Sequence, residues 1–265
     1  VADITNPFFF DLIRGSQEQL KAAGFSQLLI DTEESPVVEA SSLEAVADSA
    51  AGVILTATRL DDAPIRAAAE RIPVVCINRA VSGVTSVMMT TQTAVESAVE
   101  HLAALGHRRI CYVHGPAISW SDGERSSSWA EAGARLGLDV TEVGPYEPSV
   151  VGGKAAADAV LESGATAALA FNDLMAIGIL QRCSHLGVRV PDDLSVVGCD
   201  DTFGADFCSP PLTTLTVPLL EAGRLATTLL LDKLGASDLS ASREATLSAH
   251  LTIRSSTGSA ALAQA

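Results

Sequence analysis

Three polar side chains follow short apolar runs in the second half of the chain: Asn172 follows ALAF, and Asp200 and Asp201 follow LSVVGC. In an open parallel sheet, the loops that leave the carboxyl ends of the strands border the crevice where ligands bind. Carboxylate and amide groups there can hydrogen-bond to the hydroxyl groups or ring nitrogens of a ligand. The pattern therefore predicts a small-molecule site in which Asp200 contacts the ligand. Asn172 could contact the ligand or cap the next helix, and Asp201 is expected to cap the next turn.

Signatures of catalysis are missing from the sequence. It contains no GxSxG elbow, no GxGxxG fingerprint and no complete phosphate loop. The near miss at 152–155, GGKA, lacks the upstream glycine and the Ser or Thr of a phosphate loop, and we interpret it as a turn that enters a helix. The acid pairs at 61–62 and 192–193 are expected at helix or turn starts, and His107 in a solvated turn after Gly106. We therefore predict no enzyme activity, no cofactor and no metal site.

Composition restricts the partners and the compartment. The 265 residues carry a net charge of −15, from 32 acidic and 17 basic side chains, which is the wrong sign for gripping a phosphate backbone. No apolar run is long enough to span a membrane, and no secretory signal is visible. The five scattered cysteines show no CxxC spacing, which argues against disulfides or zinc and favours a reducing cytoplasm. Cys76, Cys111 and Cys199 fall in apolar runs and are predicted to be buried.

Short apolar runs alternate with stretches of helical period, which is typical of βα units around a parallel sheet. The predicted strands are 27–31, 52–56, 74–78, 86–89, 109–114, 167–171 and 194–199. Helices are predicted from Asn6-Pro7 to Gly24, from 93 to 105 before Gly106, and from Asn172 to about Gly187. Residues 1–4 resemble the tail of a strand that begins upstream. Because the alternation occurs twice, we expect two similar lobes with a ligand cleft between them.

Six segments, in order and spread over nearly the whole chain, resemble the LacI/GalR family of bacterial transcription regulators. They are VADITNPFF, EHLAALGHRRI, FNDLMAIG, VPDDLSVVGCDD, PPLTTLTVP and HLTIRSSTG. The resemblance is to the effector-binding core, which is built like a periplasmic sugar-binding protein. It implies an α/β fold of two doubly wound parallel-sheet lobes joined by three crossovers. The implied lobes are 1–90 with 218–252 and 91–217 with 253–258, followed by a tail at 259–265.

Members of this family also carry an N-terminal helix-turn-helix and a hinge helix, which this sequence does not contain. The resemblance implies a cytoplasmic homodimer that would contact operator DNA only through that missing module. Closure of the lobes around a small polar effector, such as a sugar, a sugar derivative or a sugar acid, would change the spacing of the DNA-binding heads. We expect a repressor. The alternative is a periplasmic sugar-binding protein of a transport system, although the GHRRI and PPLTTL segments are the regulator version.

The resemblance implies that a set of polar and aromatic side chains binds the ligand. Arg125 matches an arginine that contacts effectors across the family, and its fixed fork of donors suits hydroxyl groups or a carboxylate. Tyr146 matches the aromatic residue that closes over the effector, whereas Trp129 has helical i+4 spacing from Arg125 and is predicted to be core. The complete predicted site comprises Phe8, Phe9, Trp120, Arg125, Tyr146, Asn172, Asp200 and Phe203.

The chain departs from the family pattern at three positions. Asn78 and Thr90 stand where members often carry aspartate, and Val217 stands where some sugar binders carry glutamine or a similar polar residue. Fewer acids near Arg125 would leave its charge less neutralised, which favours an anionic or acid-bearing effector.

Overall fold

The computed structural model describes residues 1–235 and 242–260, which form two compact units. The first unit comprises Val1–Thr90 and Pro218–Leu247, and the second comprises Thr91–Val217 and the segment that begins at Ser248. The chain therefore crosses between the units three times. Each unit has a mainly parallel sheet with helices, which is the α/β architecture of periplasmic-binding-protein-like folds.

The helices are α1 (Phe8–Ala22), α2 (Pro36–Val46), α3 (Asp62–Ala69), α4 (Gln92–Ala104), α5 (Trp120–Arg135), α6 (Val150–Glu162), α7 (Asp173–Leu186) and α8 (Leu219–Gly235). The strands are β1 (Val53–Thr56), β2 (Val74–Ile77), β3 (Thr85–Thr90), β4 (Arg109–Val113), β5 (Asp139–Val143), β6 (Ala167–Ala170), β7 (Ser195–Asp200), β8 (Thr213–Thr216), β9 (Glu244–Ser248) and β10 (His250–Thr252). None of the helices in residues 1–235 and 242–260 has the length and apolar character needed to cross a membrane.

The two sheets have different strand orders. The first unit has the order β1-β2-β3-β9, with β1, β2 and β3 parallel. The second has the order β10-β8-β7-β6-β4-β5, in which every neighbouring pair is parallel except the antiparallel pair β10 and β8. Because β10 pairs with β8, the predicted placement of residues 250–252 in the first lobe is wrong.

Fully buried apolar strands form the centre of each sheet. Every residue of β2 and β6 is buried, as expected for parallel strands covered on both faces. Cys76, Cys111 and Cys199 lie inside such strands, fully shielded and with free thiols, so their predicted burial is confirmed.

The strand predicted at 27–31 does not form. Its backbone hydrogen bonds go to Val1, whose terminal amine donates to the Ile30 carbonyl at 2.9 Å and whose carbonyl accepts from the Thr32 amide at 2.9 Å. Within the described residues, no strand ladder continues along 27–31. A groove with a volume of about 430 Å³ lies beside this segment in the first unit, bordered also by β1.

The two glycines at 152–153 serve helix packing and do not form the predicted turn. They lie in the first turn of α6, where Ser149 caps the helix by accepting from the Gly152 amide at 3.1 Å. A Cβ atom on Gly153 would lie 2.0 Å from the Met175 carbonyl oxygen, and one on Gly178 would lie 2.3 Å from the Val150 carbonyl oxygen. The glycines therefore let α6 and α7 approach until backbone touches backbone.

His107 is buried, so the predicted solvated turn is wrong. Only 1% of its surface is exposed, and its Nδ1 lies 2.8 Å from the Thr166 hydroxyl. Its Nε2 lies 3.0 Å from the Ser195 hydroxyl and 3.1 Å from the Gly258 carbonyl oxygen. Burial lowers the pKa of His107 below its ordinary value. The ring therefore acts as a neutral link between the sheet and the C-terminal segment.

The predicted tail begins with residues that pack on the second unit. The Ala260 amide donates to the Leu105 carbonyl oxygen at 2.9 Å, just beyond α4. The rest of that tail, 261–265, lies outside the described residues.

Candidate ligand site in the second unit

The carboxyl ends of β4 and β6 are neighbours at the point where the strand order of the second sheet reverses. After β4 the chain builds β5 on one side, and then β6 on the other. Such a switch leaves a crevice at the carboxyl edge, where ligands bind in open α/β sheets. Phe171 and Asn172 follow β6 directly, and His114 follows β4. The predicted residue Asn172 therefore lies at the edge where a ligand is expected.

Arg125 is brought to this edge by α5. Its side chain is buried, with 4% of its surface exposed, and its Nη1 donates to the carbonyl oxygen of Phe171. The guanidinium carbon lies 5.1 Å from the centre of the Phe171 ring, which is cation–π geometry. Its Nε is buried without a hydrogen-bond partner among the described residues. The guanidinium therefore keeps unused donors beside the switch point.

Asp200 ends β7 and lies close enough to Arg125 for the two charges to interact. Its side chain is buried, and the Cys199 thiol lies close enough to interact with its carboxyl group. Burial raises the pKa of Asp200 well above its usual range, and the charge of Arg125 opposes that rise. This carboxylate also keeps acceptor capacity that the protein does not use.

Asn172 caps α7, which is one of the two roles predicted for it. Its Oδ1 accepts from the Met175 amide at 2.9 Å, and its Nδ2 donates to the Pro148 carbonyl at 3.2 Å. The helix ends at Leu186, and Gly187 follows with a positive φ of 75°, which is the predicted end. A ligand contact by Asn172 stays a prediction.

Asp201 does not cap the next turn. Its Oδ2 accepts from the Thr216 hydroxyl at 2.9 Å, and its Oδ1 accepts from Arg254 Nη2 at 2.6 Å. The predicted cap is wrong because this carboxylate is held by residues far along the chain instead of by its neighbours.

Asp173, the first residue of α7, is a fully buried acid whose contacts lie far along the chain. Its Oδ2 accepts from the Thr202 amide at 2.7 Å, and its Oδ1 accepts from the Thr214 hydroxyl at 2.6 Å. Burial raises its pKa to about 7. The side chain ties the start of α7 to the loop after β7 and to β8, which fixes the surroundings of Asp200.

A second network that the sequence did not reveal holds the start of α5. Asp122 accepts hydrogen bonds from the Tyr112 hydroxyl at 3.1 Å, from His114 Nδ1 at 2.7 Å and from the Gly115 amide at 3.0 Å. Burial acts to lower the pKa of His114, but hydrogen bonds to Asp122 and Glu142 outweigh burial and raise it. The network orients the helical turn that precedes Arg125. These contacts join residues 7 to 10 positions apart, which matches neither the helical nor the strand period.

The predicted aromatic residues fall into different surroundings. Trp120, the first residue of α5, and Tyr146, in the loop after β5, are half-buried, whereas Phe203 is 76% exposed and packs edge-on against Phe207. Trp129 is fully buried, so its predicted core position is confirmed. In the first unit, Phe8 and Phe9 are buried at the start of α1 and pack edge to face, with ring centres 5.0 Å apart.

The second unit thus brings Arg125, Asn172 and Asp200 to one edge of its sheet. The exposed ring of Phe203 has no described contact with them. Within the described residues, no cluster of His, Cys, Asp and Glu side chains has the arrangement of a metal site.

Comparisons with known proteins agree on one family. A family profile described as the periplasmic binding protein-like domain matches residues 99–257. The HTH-type transcriptional repressor CytR of Escherichia coli (strain K12) is 31% identical over 242 residues, covering 88% of this chain and 71% of CytR. The HTH-type transcriptional regulator DegA of Bacillus subtilis (strain 168) is 29% identical over 231 residues, covering 83% of this chain and 68% of DegA.

A solved structure is similar over almost the whole chain. It is a LacI family transcriptional regulator from Enterococcus faecalis V583 with bound ribose, which has a TM-score of 0.89 and 26% sequence identity and covers 98% of this chain and 97% of its own. Fold and site together define an effector-binding domain of the periplasmic-binding-protein-like class. The chain belongs to the LacI/GalR family of transcriptional regulators and forms the effector-binding core of such a protein.

Proposed function

We propose that this chain is the effector-binding and dimerisation core of a cytoplasmic, non-enzymatic transcriptional repressor, and that its effector is a sugar or sugar derivative. The observation that carries the proposal is the pair formed by Arg125 and Asp200. Both side chains are buried at the carboxyl edge of the sheet, Arg125 beside the switch point and Asp200 at the end of the neighbouring strand β7, and both keep hydrogen-bonding capacity that the described residues do not use.

The chemistry of this pair favours a polyol. Arg125 can only donate hydrogen bonds, whereas the Asp200 carboxyl group offers an acceptor oxygen in either protonation state. A hydroxyl group both donates and accepts, so neighbouring hydroxyls of a sugar can satisfy both side chains at once. The ribose in the Enterococcus faecalis structure supports this ligand class. Because Asn78 and Thr90 replace acids, an acid-bearing sugar is included in the proposal.

The aromatic residues of the predicted site complete the proposal. Flat rings stack on the C–H faces of sugars, and we assign this role first to Trp120 and Tyr146, which are half-buried in the second unit. A ligand contact by Phe8, Phe9 or Phe203 stays a prediction, because Phe8 and Phe9 are buried and Phe203 is largely exposed. Asn172 would use the remaining lone pair of its amide oxygen or the second N–H of its amide nitrogen, because the cap to Met175 and the bond to Pro148 use one of each.

Regulation would arise because effector binding and operator binding are thermodynamically linked. An effector that binds one state of the homodimer more tightly than another shifts the balance between them. If those states differ in operator affinity, effector and operator are coupled reciprocally, and the operator contacts belong to the helix-turn-helix of the full-length regulator. The CytR repressor supports the assignment of repression.

The proposal is tested by a thermal-shift screen of D-ribose, D-xylose, D-glucose, cellobiose and D-gluconate, followed by calorimetry. A sugar at 100 times its dissociation constant should stabilise the chain by about 2.7 kcal/mol. Arg125→Lys, which keeps the charge and removes the fork, and Asp200→Asn should each weaken binding of that sugar about tenfold or more.

Arg182→Lys is the matched control, because Arg182 pairs with Asp158 on the surface of the same unit. It should leave the affinity unchanged. If none of the sugars binds, the proposed effector class is wrong. If a sugar binds and neither site variant weakens it, the ligand is not held by Arg125 and Asp200.

A further inference from the structure

Asp201 joins three segments of the second unit. One carboxylate oxygen accepts from Thr216 at the end of β8, and the other accepts from Arg254 just after β10. Arg254 continues the link, since its Nη1 donates to the Leu212 carbonyl at 2.8 Å. The Asp201 and Arg254 side chains are only about one fifth exposed, at 19% and 20% respectively. Such shielding strengthens an ion pair relative to one in open solvent.

The two strands held in this way are those that connect to the first unit. Thr216 is followed by Val217 and Pro218, where the chain leaves the second unit, and β10 begins soon after the chain returns at Ser248. Thr216 pairs with Asp200 on one side and with His250 on the other. Asp201 therefore holds together the end of β7 and both neighbouring connections.

The backbone at this point is held in an unusual conformation. Asp200 has a φ of 114° and Asp201 a φ of 57°, and residues other than glycine rarely adopt such values. Strained backbone of this kind persists only where surrounding contacts impose it, and it is concentrated at ligand sites and switches. Asp201 supplies side-chain contacts of that kind immediately beside Asp200.

We propose that Asp201 is a positioning residue that ties Asp200 to the ends of β8 and β10, where the chain passes between its units. Through this tie, the position of the Asp200 carboxyl group depends on the side chains of Thr216 and Arg254, neither of which is hydrogen-bonded to it in the described chain. The ligand role of Asp200 rests on the function proposed above, whereas the tie does not.

The coupling would run in both directions, because linkage is reciprocal. A ligand that draws the Asp200 carboxylate toward itself would act through Asp201 on the two strands beside the crossings. A change in those strands would in turn move Asp200. The tie therefore gives a physical route from the ligand site to the connections between the units.

The test uses the 265-residue chain and needs no ligand: the pKa of Asp200 is followed by carboxyl-carbon NMR in wild type, Thr216→Val and Arg254→Gln. If the tie is released, the Asp200 carboxyl can reach water, and its pKa falls toward the ordinary value by about one unit or more. Direct electrostatics predicts the opposite for Arg254→Gln, because losing a cation raises the pKa of a nearby acid. The direction of the change in the Asp200 pKa therefore distinguishes a positioning role of Arg254 from a direct charge effect.

Arg254→Lys retains the cation and should restore most of the wild-type pKa, and Asp193→Asn, an exposed acid paired with Arg189, is the matched control. An unchanged or raised Asp200 pKa in both Thr216→Val and Arg254→Gln would overturn the proposal. So would loss of the folded spectrum in both, since the residues would then be merely structural. The result of the sugar screen does not affect this NMR experiment, so either proposal can be contradicted while the other stands.

Discussion

Buried arginines normally use their N–H groups on protein acceptors, because an unpaired buried donor costs about 1 to 3 kcal/mol. Arg125 has one acceptor, the Phe171 carbonyl, and a buried Nε without any in the described chain. Asp122, three positions before it in α5, accepts hydrogen bonds from three donors. The hydrogen-bonding capacity of Asp122 is thus taken up by the fold, whereas Arg125 keeps an unpaired donor. A ligand that accepts a hydrogen bond from Arg125 removes the cost of that unpaired donor.

At the residue scale, Asp173 should make the stability of the second unit depend on pH. Its folded pKa of about 7 lies above that of an unfolded aspartate, so the folded chain retains a proton that the unfolded chain releases. The stabilising contribution is therefore complete at low pH and is lost as the pH rises to about 7. Between pH 5 and pH 8, wild type should lose roughly 2 to 3 kcal/mol more than Asp173→Asn does.

Urea unfolding followed by tryptophan fluorescence measures this difference, since both tryptophans lie in α5 of the second unit. Asp158→Asn is the control, because the surface pair with Arg182 lowers the pKa of Asp158 and its titration lies below this pH window. Equal pH dependence in wild type and Asp173→Asn would show that Asp173 is ionised throughout.

At the element scale, the approach of α6 to α7 should tolerate no side chain at Gly153. Its Cβ would lie 2.0 Å from the Met175 carbonyl oxygen, a backbone atom that cannot swing aside. Gly153→Ala should therefore destabilise the second unit by roughly 1 to 3 kcal/mol in urea unfolding. Gly123→Ala in α5 is the matched control: nothing lies within 4 Å of its Cβ, so it should stabilise the helix by up to about 1 kcal/mol. Equal effects of the two substitutions would contradict the close packing.

Elements with a strong local signal were predictable. The apolar runs of β4, β6 and β7 and the cap at Asn172 are properties of neighbouring residues. The strands β5 (DVTEV) and β8 (TTLT) were missed because their polar residues become strand only through pairing with β4 and β7.

The residues of the candidate site also differ in whether neighbouring residues or distant contacts determine their roles. Asn172 and Asp200 follow from the rule that ligands bind at strand ends, and Arg125 was found through family resemblance. The contacts of Asp173 with Thr214 and of Asp201 with Arg254 join residues 41 and 53 positions apart. No local pattern encodes such pairs, so they become visible only in the folded chain.

At the scale of the whole molecule, the charge of the chain separates effector binding from DNA binding. The 265 residues carry a net charge of −15, and most arginines that the structure describes at the surface are paired with acids, as in Arg71 with Glu44 and Asp48. DNA affinity comes largely from cations that displace counterions from phosphates. A family member built in this way needs a separate basic surface to reach its operator.

We therefore expect the 265-residue chain to bind duplex DNA more weakly than a dissociation constant of about 100 µM at physiological salt. Fluorescence anisotropy with a labelled duplex of arbitrary sequence measures this, because the attraction of cations to phosphates does not depend on sequence, and the full-length regulator on the same duplex is the matched control. The full-length regulator should bind it far more tightly, with an affinity that falls as salt rises. Micromolar, salt-dependent binding by the 265-residue chain itself would mean that this acidic core contacts DNA directly, and the division of labour between core and helix-turn-helix would be wrong.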